Sequence, residues 1–325
     1  MFFDPLSELF LKIENMGGFV NSHSHLDRAY TVQKWDMEQQ VNDHLFEKWK
    51  AVDMFKANAC MDIYEHNITT ALKMQKKMGT NAVLSFIDID EVAGYRAIEA
   101  AQKAKQWAKE NKLEFRIACQ TLKGILRPTS LRMVERAIGE GWLDVLGSLP
   151  RCENVELHLD RMMELARASG LRLHVHVDQL NAPAEKETEL LARKVMQYGL
   201  EGRVTAVHSI SLAAHKKAYR QQVYQMAKDA GLSFISCPTA WIDARRNETM
   251  TVSHNAITPA EEMIANGLVV AIGSDNIHDI YKPFSNGCMK TELRFFLEAL
   301  HFYDVNELVK VATMNGRIVM GLEDR

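Results

Sequence analysis

A parallel (β/α)8 barrel, the TIM-barrel architecture, is the fold this sequence predicts, and three observations carry it. Eight short apolar runs recur along the chain, rich in Val, Ile, Leu and Phe with little polar alternation, as in strands buried on both faces. Stretches of helical composition separate them, several ending in Gly or Asn. The length, 325 residues, is ordinary for one such barrel and long enough to bury a large core without staples.

The chain opens on a short helix. Asp4 caps it, Pro5 suits its first position, and Leu6, Leu9, Phe10 and Ile13 share one face. Gly17 and Gly18 stop it, and it reads as a plug for one end of the domain. Strands are expected at 18–25, 82–87, 114–120, 145–149, 171–177, 204–208, 232–237 and 268–272. Helices are expected at 95–111, 131–140, 157–169, 185–199, 216–231 and 258–267. The first strand–helix connection is long. Residues from about 29 to 77 form a mostly helical insertion with interleaved Met, Trp and Phe, suited to a lid or to a homo-oligomer contact. No linker, low-complexity tract or internal repeat divides the chain, so residues 1–325 read as a single barrel domain.

Lys plus Arg number 39 and Asp plus Glu 42, a formal charge of −3. That balance gives no general attraction to nucleic acid or to an anionic membrane surface. No apolar run approaches the length of a membrane span. The five cysteines, Cys60, Cys119, Cys152, Cys237 and Cys288, are odd in number, scattered, and form no CxxC pair. They read as thiols of a reducing compartment. The N-terminus lacks a basic start and carries Asp4 and Glu8 early, which suits no signal peptide, so a cytoplasmic location is expected.

The chemistry sits at strand ends. His23 and His25 close the first strand, where residues i and i+2 point the same way and two imidazoles can share one metal ion. Alone, that spacing is weak. Strand five ends in His174-Val175-His176-Val177-Asp178-Gln179, strand six in Val207-His208-Ser209, and strand eight leads into Gly273-Ser274-Asp275-Asn276. Barrel active sites lie at the C-terminal strand ends, so four strands deliver His and Asp side chains to one rim. Such a constellation signals a metal site. His176, nearer the rim, is the better ligand; His174 lies one layer deeper and reads as a hydrogen-bonded core histidine.

These motifs resemble the amidohydrolase superfamily. Gly18-Phe19-Val20-Asn21-Ser22-His23-Ser24-His25-Leu26-Asp27 is similar to its first-strand motif. His176-Val177-Asp178-Gln179, Thr205-Ala206-Val207-His208 and the stretch from Ile257-Thr258 through Glu262-Met263 to Gly273-Ser274-Asp275-Asn276 are most similar to its cytosine deaminase-like branch. The resemblance covers roughly residues 18–283. It implies a (β/α)8 barrel of the amidohydrolase type in which His23, His25, His176 and Asp275 bind one divalent metal ion, zinc or iron, with manganese a third candidate. It also implies that His208 stands beside the metal's water and that Asp275 takes a proton from it. A metal lowers its water's pKa toward neutrality, a nearby carboxylate can pass the proton to a leaving nitrogen, and a histidine can stabilise the developing oxyanion. The superfamily usually adds a β-sandwich built from both termini. With 22 residues before His23 and about 50 after Asp275, little or none is expected here.

The sequence also departs from that branch. Gln179 stands where the deaminases carry a proton-shuttling glutamate, and an amide neither gains nor loses a proton near pH 7. Hydrolysis of an amide, a cyclic amide or an N-substituted heterocycle needs that shuttle less than cytosine deamination does. At the third strand end, Leu122 takes the place of an amide-bearing side chain, for which Gln120 compensates. Arg151 follows strand four where the relatives have a histidine; with Arg245 and Arg246 after strand seven, it suits either an anionic substrate group or plain solvated loops. Trp241 can stack on a flat ring or simply pack in its loop, Asn276 joins the substrate-contacting group, and Asp243 and Asp279 read as loop structure. The expected activity is metal-dependent hydrolysis of a non-peptide C–N bond in a small cyclic amide or nitrogen heterocycle. Two rivals stand beside it. One is a phosphoester or lactone hydrolase, opposed by Ser148-Leu149-Pro150-Arg151 where a bridging lysine or glutamate is wanted. The other is a catalytically silent metal- or ligand-binding barrel, supported by Gln179 and opposed by the intact ligand set.

Overall fold

The computed structural model describes residues 4–32, 45–242 and 257–322. Eight strands, β1 (Phe19–Ser24), β2 (Thr80–Asp88), β3 (Glu114–Gln120), β4 (Val145–Ser148), β5 (Arg172–Val177), β6 (Val204–His208), β7 (Ser233–Ser236) and β8 (Val270–Ile272), form one sheet in chain order. Every neighbouring pair from β1·β2 to β7·β8 is parallel. The sheet closes through a parallel bridge between Ser24 and Asp275, just beyond the regular ends of β1 and β8. All eight strands fall where the apolar runs place them.

Inside, Val20, Ala82, Leu84, Phe86, Ala118, Val145, Val207, Ile235 and Ala271 pack as one apolar cluster. A larger cluster joins the outward strand faces to the helices. Gly147 is required where β4 crosses β3, because a Cβ there would collide with the Cys119 carbonyl and the Phe86 ring.

The opening helix, Pro5–Asn15, is capped by the Asp4 carboxylate, which accepts from the Leu6 and Ser7 amides at 3.0 and 3.3 Å. It buries Leu9 and Ile13 and sets Phe10 against Phe19 at the start of β1, as the plug reading expects. Within the long first connection, helices occupy Leu45–Asn58 and Met61–Lys77; residues 33–44 lie outside the described set. The second of these buries Tyr64, Ile68, Ala71 and Leu72, so it is the barrel's own crossover helix, and the insertion proper ends near Asn58.

Two boundaries shift for local reasons. The expected helix at 131–140 begins at Pro128, because proline suits the first helical turn. The one expected at 258–267 shortens to Ala260–Ala265, because Pro259 disfavours helical backbone at Thr258. Three helices not assigned from the sequence, Met289–Leu300, Val305–Ala312 and Met314–Met320, complete the shell. The last two hold the strand bases: the Asn315 amide donates to the Val270 carbonyl at 2.8 Å.

Candidate active site

Barrel closure builds the centre of the site. The Asp275 amide donates to the His23 carbonyl at 3.0 Å, and the His25 amide donates to the Asp275 carbonyl at 3.2 Å. Asn21 laces the same seam, its side chain bonding the Ser274 hydroxyl and amide at 2.8 and 3.0 Å. Asp275 Oδ1 thereby stands 3.4 Å from His23 Nε2 and 3.3 Å from His25 Nε2. The register of β1 against β2 slips between Asn21 and Ser24, where His23 turns toward the site.

His176 arrives from β5 with its ring centroid 4.8 Å from that of His23, and His208 from β6 at 5.4 Å. Ligand atoms of His23, His25 and His176 lie within 4.8 Å of one another, as do those of His23, His208 and Asp275. All five side chains are buried, over the ring of Phe86, which meets His23 and His176 edge-on. Asp178, His208, Ser209 and Asp275 have φ of 54°, 76°, 50° and 60°. Such left-handed backbone is uncommon without glycine and clusters at functional strand ends.

The electrostatics suit a cation. Burial holds the His25 and His176 imidazoles well below their ordinary pKa, and holds His208 down at about 3, so these rings are neutral near pH 7. Burial works to raise Asp275, but the adjoining His23 and His25 rings outweigh it and hold its carboxyl well below the ordinary value. Among the described residues, His23 Nδ1 and Nε2, His25 Nδ1 and His176 Nε2 are buried without a hydrogen-bond partner. Unpartnered imidazole nitrogens beside a carboxylate suit a divalent metal ion. His176 Nδ1 is 3.0 Å from the Ser148 carbonyl, which fixes its proton there and points Nε2 at the centre. His174, in contrast, bonds the Val319 carbonyl through Nε2 at 2.8 Å and stands apart as a core histidine.

The other sequence-derived candidates divide. Gln179 and Gln120 are buried at strand ends, and Gln179 Nε2 and Gln120 Oε1 have no protein partner among the described residues. Asn276 is buried and donates its amide to Asp279. Asp279 shapes the loop, accepting the Tyr281 and Lys282 amides, and lies 3.8 Å from Arg28. Arg151 differs from the anion-site reading: it pairs with Glu185 and lies 3.6 Å from Glu187, so its charge is already met within the protein. Trp241 lies on the helix Pro238–Ile242, but its side chain is outside the described residues, as are Asp243, Arg245 and Arg246.

Sequence reasoning missed the supporting groups. Lys282 is buried, donates to the Ser274 carbonyl at 2.9 Å and pairs with Glu292 at 3.5 Å, fixing the residue before Asp275. Arg28 lies 3.6 Å from Asp88 at the end of β2. No local spacing signals either contact.

Residues 63–325 match the Amidohydrolase family. The chain is 38% identical over 258 residues to an uncharacterised protein of Haemophilus influenzae, covering 78% of this chain and 92% of that one. It is 25% identical over 317 residues to N-isopropylammelide isopropyl amidohydrolase of Pseudomonas sp. strain ADP, covering 94% of this chain and 74% of that one. The crystal structure of 5-methylcytosine deaminase from Klebsiella pneumoniae, liganded with 5-fluorocytosine, superposes with a TM-score of 0.86 at 25% identity, covering 94% of this chain and 75% of that one. With the fold, the strand-end histidines and these relationships together, the chain belongs to the amidohydrolase family, in its cytosine deaminase-like branch, and is a metal-dependent hydrolase of carbon–nitrogen bonds other than peptide bonds.

Proposed function

We propose that this protein hydrolyses a C–N bond of a small cyclic amide or nitrogen heterocycle, using one divalent metal ion held by His23, His25, His176 and Asp275. The observation that carries the reading is the gathering of ligand atoms of His23, His25 and His176, and of His23, His208 and Asp275, within 4.8 Å of one another, with His23 Nε2 and His176 Nε2 unpartnered among the described residues. Similarity to enzymes named for 5-methylcytosine, N-isopropylammelide and pterin supports a flat nitrogen ring as substrate. When bound, the metal, zinc, iron or manganese, supplies Lewis-acid polarisation and lowers the pKa of water.

The chain's residues supply the rest. Asp275, ionised, accepts the proton of the attacking water at its carboxylate and passes it to the leaving nitrogen. His208, neutral, offers a hydrogen bond to the oxygen that gains charge on the attacked carbon. The Gln179 amide orients the ring through hydrogen bonds without moving a proton. Gln120 and Asn276 line the same rim and contact the ring's polar edge, with Trp241 assigned to stack on its face. An exocyclic nitrogen leaves as ammonia or an amine, whereas the nitrogen of a ring amide stays attached to the opened product.

Ser148 stands where a second metal would need a bridging ligand, and its hydroxyl is engaged by His158, which supports a mononuclear centre. Five free cysteines support a reducing compartment such as the cytoplasm, and among the described residues no helix is long and apolar enough to cross a membrane. The helix Leu45–Asn58, with Met54 exposed, offers surface for self-association.

The test is metal content per chain by elemental mass spectrometry on wild type and His176→Ala, followed by a screen of ring substrates for ammonia or amine release. The expected result is about one zinc, iron or manganese ion per wild-type chain, lost in the variant. Two ions per chain would overturn the mononuclear reading. None, even after reconstitution, would favour the silent barrel.

A further inference from the structure

Behind His176 lies a second buried constellation. Ser148 Oγ is 2.8 Å from His158 Nε2, and His158 Nδ1 is 2.5 Å from Glu153 Oε1. The order of groups is that of a hydrolytic triad, but Ser148 and His158 are wholly buried, so no substrate reaches the hydroxyl. The backbone carbonyl of the same Ser148 accepts the His176 Nδ1 proton.

We propose that Glu153, His158 and Ser148 are positioning residues that aim His176 at the metal and link it to the loop after β3. The inference rests on the reading of His176 as a metal ligand. Glu153 is an ionised acceptor: burial works to raise its carboxyl, but the His158 bond and the loop amides outweigh it and hold it below its ordinary value. His158 therefore donates from Nδ1 and accepts the Ser148 hydroxyl proton at Nε2. The anchor matters because β4 pairs with β3 at Ala118–Val145 and Ser148 is the last residue of β4, paired on the β5 side with Val175. The side-chain bond to His158 then fixes the peptide whose carbonyl orients His176.

Glu153 also accepts the Ile125 and Leu126 amides, at 2.7 and 3.2 Å, from the loop that follows Gln120. Gly124 leaves room for that carboxylate, since a Cβ there would collide with it. One carboxylate thus holds both the substrate-facing loop and, through two side chains, a metal ligand.

The experiment measures zinc affinity by chelator competition and the visible spectrum of the cobalt-substituted protein for wild type, His176→Ala, Ser148→Ala, His158→Gln and Gly124→Ala. Melting temperatures are taken with and without metal. Ser148→Ala and His158→Gln are expected to weaken zinc binding about 10–100-fold, the usual effect of losing an outer-shell partner, and to alter the cobalt bands. Gly124→Ala should shift both in the same direction. If His158→Gln does not fold, Ser148→Ala, which removes one hydroxyl, decides. Zinc affinity within twofold of wild type, with metal-free and metal-bound melting temperatures lowered equally, would show a purely structural role and overturn the proposal. Absence of metal binding by wild type itself would instead bring down the underlying reading of the site.

Discussion

Replacing Gly273 by alanine tests whether closure of the barrel, rather than the ligand residues alone, makes the metal site. Gly273 sits between β8 and Asp275, with its backbone against His23. A Cβ there would lie 2.7 Å from His23 Cβ, 2.8 Å from its carbonyl oxygen and 2.9 Å from its amide nitrogen. Two of those three atoms are backbone, so no rotamer change relieves the overlap. Opening the 2.7 Å approach to an ordinary contact of 3.4 Å requires a displacement of about 0.7 Å. That displacement falls on the seam where Asp275 and His23 exchange their hydrogen bond, and it moves Asp275 Oδ1 relative to both imidazoles. Overpacking of this kind costs about 1–3 kcal/mol of stability. Misplacement approaching 1 Å at a reacting centre costs on the order of 100-fold in rate. Gly273→Ala is therefore expected to fold, with a lowered Tm, weaker metal binding and about 100-fold lower kcat on whichever ring substrate wild type turns over. Titration with zinc, thermal unfolding and steady-state kinetics read the three effects. Wild-type metal affinity together with wild-type kcat would refute the argument that closure geometry sets the site.

Three other expectations follow from particular contacts. Arg151→Met removes the cation facing buried Glu185 and half-buried Glu187, which keep their backbone amide bonds, and is expected to destabilise the fold by about 1–3 kcal/mol while leaving KM for a neutral ring unchanged; a raised KM with unaltered Tm would restore an anion-binding role. Burial pushes the Asp279 carboxyl up to about 6, against Arg28 and the loop amides, so the folded state holds that proton longer than the unfolded chain. The associated stability is present below about pH 4 and is lost as pH rises through 6, so Asp279→Asn should flatten that part of the stability profile by urea unfolding; equal slopes in both proteins would contradict the assignment. Gln179→Glu is expected to create no robust cytosine deaminase, because the surrounding pocket is unchanged; high ammonia release from cytosine by wild type would overturn the role given to Gln179.

The strands and most helices were legible because burial leaves a local record. Strands such as Leu171–Val177 and Val204–His208 read as uninterrupted apolar runs, and helix ends carry Asp4, Pro128 or Gly170. The histidines of β1 and β5 were legible for the same reason: a two-residue spacing at a strand end fixes which side chains share a face. The departure at Gln179 is likewise a fact of one position. The helix Met289–Leu300 escaped because a long connection separates it from β8, the last two helices because they lie beyond the eighth strand–helix unit, and the first crossover helix was merged with the insertion before it.

From local pattern alone the eight strands, their order, and the rim at which the His and Asp side chains stand could be read. The tertiary structure decided how the strand ends meet. Asp275 reaches His23 and His25 through a seam between the first and last strands, some 250 residues apart in sequence, and no local pattern carries that distance. It decided that His176 faces the centre while His174 bonds Val319, that Glu185 takes the charge of Arg151, and that Lys282 holds Ser274. Periodicity records which side of an element is buried; which polar partner waits there depends on closure of the barrel, which brings remote strand ends within hydrogen-bond reach in a medium where unpartnered polar groups are costly.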